Sequence, residues 1–125
     1  MIVDTNAVSA WRDGDDDLLE VMASARQLAL PVIAVGEYRY GIGQSTHRLR
    51  AEAWLDTLVQ TIRVLAVNLE TAHSYAVVRA MLQRKGSPIP ANDMWIAALA
   101  LQHRLPVLSR DAHFDAVDGL TRISW

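Results

Sequence analysis

The strongest constraint on this chain is a rhythm: short apolar runs, each too brief to be a helix, recur between longer stretches with helical spacing. Met1-Ile2-Val3 opens the chain, and Pro31-Val32-Ile33-Ala34-Val35 is a β-branched run with proline at its edge. Arg63 to Val67 and Pro106-Val107-Leu108-Ser109 follow, with Leu120 to Ser124 as a fifth candidate. Such runs read as strands. Between them, Leu18, Leu19, Val21, Met22 and Ala25 form an amphipathic helix, and Gly36-Glu37 begins a helical stretch interrupted by Gly41 and Gly43. Further helices are predicted over Arg48 to Thr61, from Leu69 to a stop at Gly86, and from Ala91 or Asn92 onward. The last is apolar from Met94 through Leu101, which predicts burial on every side. Strands alternating with helices predict a three-layer α/β/α sandwich around a mostly parallel central sheet of four to five strands. One domain spanning residues 1–125 accounts for the whole length.

Composition narrows the chemistry. Apolar residues make up 51% of the chain and charged residues 21%, a globular balance. There is no cysteine, which excludes thiol catalysis, disulfides and iron–sulfur clusters. A net charge of −2 argues against coating nucleic acid by bulk charge. Lys85 is the sole lysine among the basic residues, and Arg39, Arg48, Arg50, Arg84 and Arg110 are candidates for phosphate contact that read first as solvated faces. No apolar run is long enough to span a bilayer and no secretory pattern opens the chain, so the expected compartment is the cytoplasm.

In parallel sheets, chemistry collects in the crevice beyond the carboxyl ends of the strands. Asp4 directly follows the first run, Glu37 follows the second by one residue, and Asp111 follows the fourth by one residue. Asp93 sits in the first turn of the buried helix, after Pro88-Ile89-Pro90-Ala91-Asn92. Any one of these is also what a helix cap looks like, and capping is the reading for Asp15, Asp16 and Asp17. Convergence of all four acids is not explained by capping. Two bare carboxylates ~4 Å apart repel by about 4 kcal/mol at an effective dielectric near 20. Four in one crevice call for a cation among them. Oxygen ligands select a hard ion, Mg²⁺ or Mn²⁺, and such an ion held by carboxylates points to phosphoryl chemistry.

Other constellations are weaker. His47, His73, His103 and His113 show no metal-ligand spacing and read as surface or packing residues. Neither a GxGxxG nor a GxxxxGK phosphate loop occurs, and Trp11, Trp54, Trp95 and Trp125 are dispersed as packing residues would be.

The ordered set Met1-Ile2-Val3-Asp4-Thr5-Asn6, Glu37 with Gly41, Asn92-Asp93 leading into Ile96-Ala97-Ala98, and Ser109-Arg110-Asp111-Ala112-His113-Phe114 resembles the PIN-domain family. The likeness is greatest to the VapC-type toxins of bacterial toxin–antitoxin pairs, and it runs from Met1 to about Leu120. It implies a Mg²⁺- or Mn²⁺-dependent ribonuclease that hydrolyses RNA phosphodiester bonds with metal-activated water. Restraint by a cognate VapB-like antitoxin, a homodimer within the toxin–antitoxin complex, and promoter DNA bound through the antitoxin are also implied. Asp4, Glu37, Asp93 and Asp111 match the family's acidic quartet, with Asp4, Asp93 and Asp111 as the metal ligands and Glu37 holding the attacking water. Thr5, Asn6 and Ser109 match polar positions that orient the quartet, and Asp115 falls where many members keep a further acid. Two departures stand out: serine at 109 where threonine is common, and Tyr38-Arg39-Tyr40 after Glu37 where leucine often follows. Tyr38, Tyr40 and Ile42 are candidates for a dimer or antitoxin groove, against ordinary helix packing.

Two alternatives remain at this point. A phosphoacceptor receiver domain shares the size and the clustered acids, but normally carries an acidic pair after its first strand and a lysine after its last. Here Asp4 stands alone, Asn68 follows the third run, and Arg110 is the only base near the fourth. The other alternative keeps the PIN-like fold as a catalytically silent binding module.

Overall fold

The computed structural model describes residues 1–125. Five strands, β1 (Ile2–Val3), β2 (Ala29–Pro31), β3 (Arg63–Leu65), β4 (Val107–Leu108) and β5 (Arg122–Ile123), form one sheet in the order β3-β2-β1-β4-β5. Every pairing is parallel. Six helices connect them: α1 (Thr5–Asp13), α2 (Asp16–Ala23), α3 (Val32–Ile42), α4 (Arg48–Thr61), α5 (Leu69–Lys85) and α6 (Ala91–His103). A 3₁₀ turn, Ala112–Ala116, links β4 to β5.

The two-residue period of the strands divides the core. Ile2, Ala29 and Val107 face one side with Leu65, where they pack with Val78 and Leu82 of α5, Ile96, Ala97 and Leu99 of α6, and Phe114 of the 3₁₀ turn. Val3, Leu30 and Leu108 face the other, with Val8, Leu18, Tyr38, Leu55 and Leu58 of α1 to α4. This is the expected three-layer sandwich, with all five strands parallel.

Local chemistry fixes the element ends. Asn68 and Thr71 form a reciprocal capping box at the start of α5, and Gly86 ends that helix with φ +65, a left-handed conformation that glycine adopts without a steric penalty. Asp15 accepts from the Leu18 amide at the start of α2, so the capping reading of that acid holds.

One strand is displaced from its expected place. Residues Val32 to Val35 form the first turn of α3, and the strand before them is Ala29-Leu30-Pro31, in register with Arg63, Val64 and Leu65 of β3. Burial decides it: Ala34, Tyr38 and Ile42 recur at a spacing of four and turn one helical face into the core, overriding the β-branched propensity of the run. Gly41 accordingly lies inside α3, and Gly43 caps it.

The strand order also separates this fold from the receiver alternative, which belongs to the flavodoxin-like order 2-1-3-4-5. The chain winds outward from β1 to β2 and β3, then returns across β1 to β4 and β5. The reversal creates a crevice beyond the carboxyl ends of β1 and β4. Phe114, fully buried, anchors the 3₁₀ turn in the core cluster shared with α5 and α6. Phe114→Ala is expected to cost about 3–5 kcal/mol, read as a lowered midpoint in urea denaturation. An unchanged midpoint would contradict this packing.

Candidate active site

Asp4 occupies the N-cap position of α1, yet its carboxylate makes no capping bond. Instead Oδ2 accepts from the Ser109 hydroxyl at 2.7 Å and from the Asn6 amide at 3.1 Å. Ser109 is fully buried and Asp4 is 4% exposed, so the carboxylate is held where β1 and β4 end side by side. Asn6 Nδ2 also donates to Ser109 Oγ at 3.0 Å, and Ser109 Oγ accepts from the Asp111 amide at 2.9 Å. One hydroxyl thus ties together three of the polar residues at the crevice. Burial pushes the Asp4 carboxyl up to about 6; the Ser109 bond opposes this, and the charges of Asp93 and Glu37 add to it.

Asp93 lies in the first turn of α6, and its side chain is 13% exposed. Burial raises its pKa, and Asp111 and Glu37 raise it further through their charge, whereas His113 opposes the shift. Asp111 caps the 3₁₀ turn by accepting from the His113 amide at 2.9 Å, so capping and crevice membership coincide there. Glu37 does not follow β2 directly as expected. It projects from α3, past its first turn, and its Oε1 accepts from the Thr5 hydroxyl at 2.8 Å. The structure therefore couples Asp4 through charge to Asp93 and Glu37, and Asp93 in turn to Asp111, with Thr5 bonded to Glu37 and with Asn6 and Ser109 bonded to Asp4.

His113 was expected at the surface or in packing, and the structure places it at the rim of the site. Its Nδ1 lies 3.0 Å from Asp93 Oδ2 and 3.0 Å from Asp111 Oδ1. The Asp93 hydrogen bond, with Asp111 beside it, raises the pKa of its imidazole. Donor atoms of Asp93, Asp111 and His113 all lie within 4.8 Å of one another. The signal available in the sequence was His113 two places after Asp111; its other partner, Asp93, is twenty residues away and joins only through the fold.

Asp115 stands apart from the quartet. It makes a two-pronged pair with Arg122 at 2.8 Å per contact, and Arg122 also donates to the Ser109 carbonyl. Arg110, between Ser109 and Asp111, stacks 4.4 Å over the Trp125 ring and pairs with Asp15 at 3.2 Å. Arg39 pairs with Asp56, and Arg48 with Glu52. Tyr38 and Ile42 are buried in the core, which leaves Tyr40, 78% exposed, as the member of that trio at the surface. A groove of about 500 Å³ beside the acids is lined by Ile33, Gly36, Glu37, Tyr40 and Asn92.

A crevice of carboxylates around the end of a central parallel strand is the arrangement on which the sequence resemblance rests, and the family profile of the PIN domain matches residues 1–120. The chain belongs to the PIN domain family. Ribonuclease VapC5 of Mycobacterium tuberculosis is 31% identical over 125 residues, covering 98% of this chain and 90% of that protein. The crystal structure of VapBC-5, a VapBC toxin–antitoxin family member from the same organism, superposes with a TM-score of 0.76 at 28% identity, covering 98% and 94% of the two chains. FitAB bound to the IR36 DNA fragment superposes with a TM-score of 0.82 at 27% identity, covering 98% and 93%. Within this PIN fold, no helix is long and apolar enough to cross a membrane.

The raised pKa of Asp4 carries a stability consequence of definite sign. A carboxylate whose pKa rises on folding, here from 3.8 to about 6, binds its proton more tightly in the folded state, so stability falls as pH climbs through that window. Above it, ionised Asp4 costs about 3 kcal/mol. Asp4→Asn is therefore expected to stabilise the metal-free protein at pH 7.5 by up to about 3 kcal/mol, with the gain vanishing toward pH 4. Denaturant midpoints measured across pH in EDTA check this; a destabilised variant at pH 7.5 would contradict it.

Proposed function

We propose that this protein is a Mg²⁺- or Mn²⁺-dependent ribonuclease toxin of a type II toxin–antitoxin pair, acting in the cytoplasm as one nuclease domain over residues 1–125. The observation that carries the reading is the buried Asp4 carboxylate, held by Ser109 and Asn6 beside Asp93, Asp111 and Glu37. A set of acids whose charges oppose one another's ionisation fits a divalent cation, and the oxygen-rich donors fit a hard one. Asp4, Asp93 and Asp111 are the residues that would hold it. When bound, such an ion stabilises charge on phosphate oxygens and acidifies water.

The chain's own groups supply the rest. Ser109 and Asn6 both donate to Asp4 Oδ2, which fixes that carboxylate and leaves its other oxygen outside both bonds. The Thr5 hydroxyl fixes Glu37 through Oε1, so that Oε2 is available to accept a proton from an attacking water. The groove along Ile33, Gly36, Tyr40 and Asn92 leads past Glu37 and has the position to seat an RNA strand. Attack by water on phosphorus with cleavage of the P–O3′ bond, the proton going to the departing 3′-oxygen, leaves 5′-phosphate and 3′-hydroxyl ends.

The partners follow from the relatives. VapBC-5, a member of the VapBC family of toxin–antitoxin systems, supports a cognate, VapB-like antitoxin, and FitAB bound to a DNA fragment supports DNA binding by the pair; the proposal includes a homodimer within the pair and promoter DNA held through the antitoxin. The intact and orderly acidic set favours this reading over a catalytically silent PIN-like binding module.

Purified protein is expected to fragment total RNA with Mg²⁺ or Mn²⁺ and to stop on addition of EDTA. Asp93→Asn is expected to lower the cleavage rate by a factor on the order of 10³ while remaining folded. Cleavage that persists in EDTA or in the variant, or ends bearing 2′,3′-cyclic phosphate, would contradict the mechanism.

A further inference from the structure

We propose that His113 is a nitrogen ligand in the divalent-cation site and that it biases this site toward Mn²⁺ over Mg²⁺. The proposal rests on the reading of the crevice as a divalent-cation site and names a donor outside the acidic quartet. The geometry is specific. Nδ1 is 3.0 Å from a carboxylate oxygen on each of two separate elements, Asp93 on α6 and Asp111 at the 3₁₀ turn. A surface ion pair needs only one of these.

The position is built into the backbone. The His113 amide donates to Asp111 Oδ1 at 2.9 Å, and the next residue, Phe114, is fully buried. The imidazole is thereby fixed on the rim between its two acids, with its side chain 48% exposed. In the tautomer with its proton on Nε2, Nδ1 presents a lone pair in the same place, within 4.8 Å of both carboxylates. Two carboxylates and one imidazole are a mixed oxygen–nitrogen set. Mg²⁺ favours oxygen ligands and retains its waters, whereas an imidazole donor raises affinity for the transition metals.

The test uses the full-length, metal-free protein, titrated calorimetrically with MnCl₂ and with MgCl₂, and pulsed EPR of the Mn²⁺-loaded protein to detect coupling to an imidazole ¹⁴N. Wild type is expected to show that coupling, and His113→Asn and His113→Gln to lose it. In both variants Mn²⁺ affinity should fall by about tenfold or more, and Mg²⁺ affinity by about twofold or less. Because the wild-type spectrum alone reports the ligand, the test does not depend on either variant folding. Mn²⁺ bound without nitrogen coupling, at an affinity unchanged in His113→Asn, would overturn the role of His113 and leave an acid-held ion standing. Failure of wild type to bind Mn²⁺, or equal binding by Asp93→Asn, would overturn the cation site itself and the proposal with it.

Discussion

A carboxylate buried at the end of the central strand sets the terms for everything near it. Asp4 must lose most of its water because β1 lies between β2 and β4, and an ionised group there needs donors. The nearest come from 105 residues further along the chain, through the Ser109 hydroxyl. That bond spans the topological switch point. Ser109 in turn is pinned by its amide to the Ile123 carbonyl and at its carbonyl by Arg122, whose guanidinium Asp115 clamps. An acid with no direct part in the crevice thus helps hold the strand end on which the crevice depends.

Donors from the protein meet only part of the requirement. The Ser109 bond pulls the Asp4 pKa down, but burial and the charges of Asp93 and Glu37 together outweigh it. Asp93 carries the same imbalance, and His113 opposes it from the open side. The folded chain therefore holds acids in states that cost stability near neutral pH, a pattern that clusters at functional sites. A divalent cation, as proposed above, has the charge and the ligand preference to neutralise such a set.

Much of this was legible in the residues. Strand ends in a parallel sheet project toward one rim, so Asp4 and Asp111 could be placed from the apolar runs before them, and Asp93 from the solid apolar run after it. Glu37 reached the same crevice by a different route. The β-branched run places it just past the end of a strand, whereas Val32 to Val35 are helical and Glu37 extends from α3. The spacing of Ala34, Tyr38 and Ile42 carried the correct period, and the β-branched residues masked it. His113 was the larger omission. Spacing along the chain cannot reveal a histidine whose carboxylate partner, Asp93, comes from another helix, and histidine next to a buried phenylalanine looks like packing. Arg110 and Tyr38 show the converse, since residues that invite a functional role are occupied by Trp125 and the core.

In the proposed site these acids are arranged around a divalent cation. A crystal grown with Mn²⁺, with anomalous diffraction recorded at the manganese edge, tests it most directly. An anomalous peak is expected in the crevice within ligand distance, about 2.0–2.4 Å, of carboxylate oxygens of Asp4, Asp93 and Asp111. A well-ordered crevice with no peak, or a peak held only by acids outside it, would contradict the account.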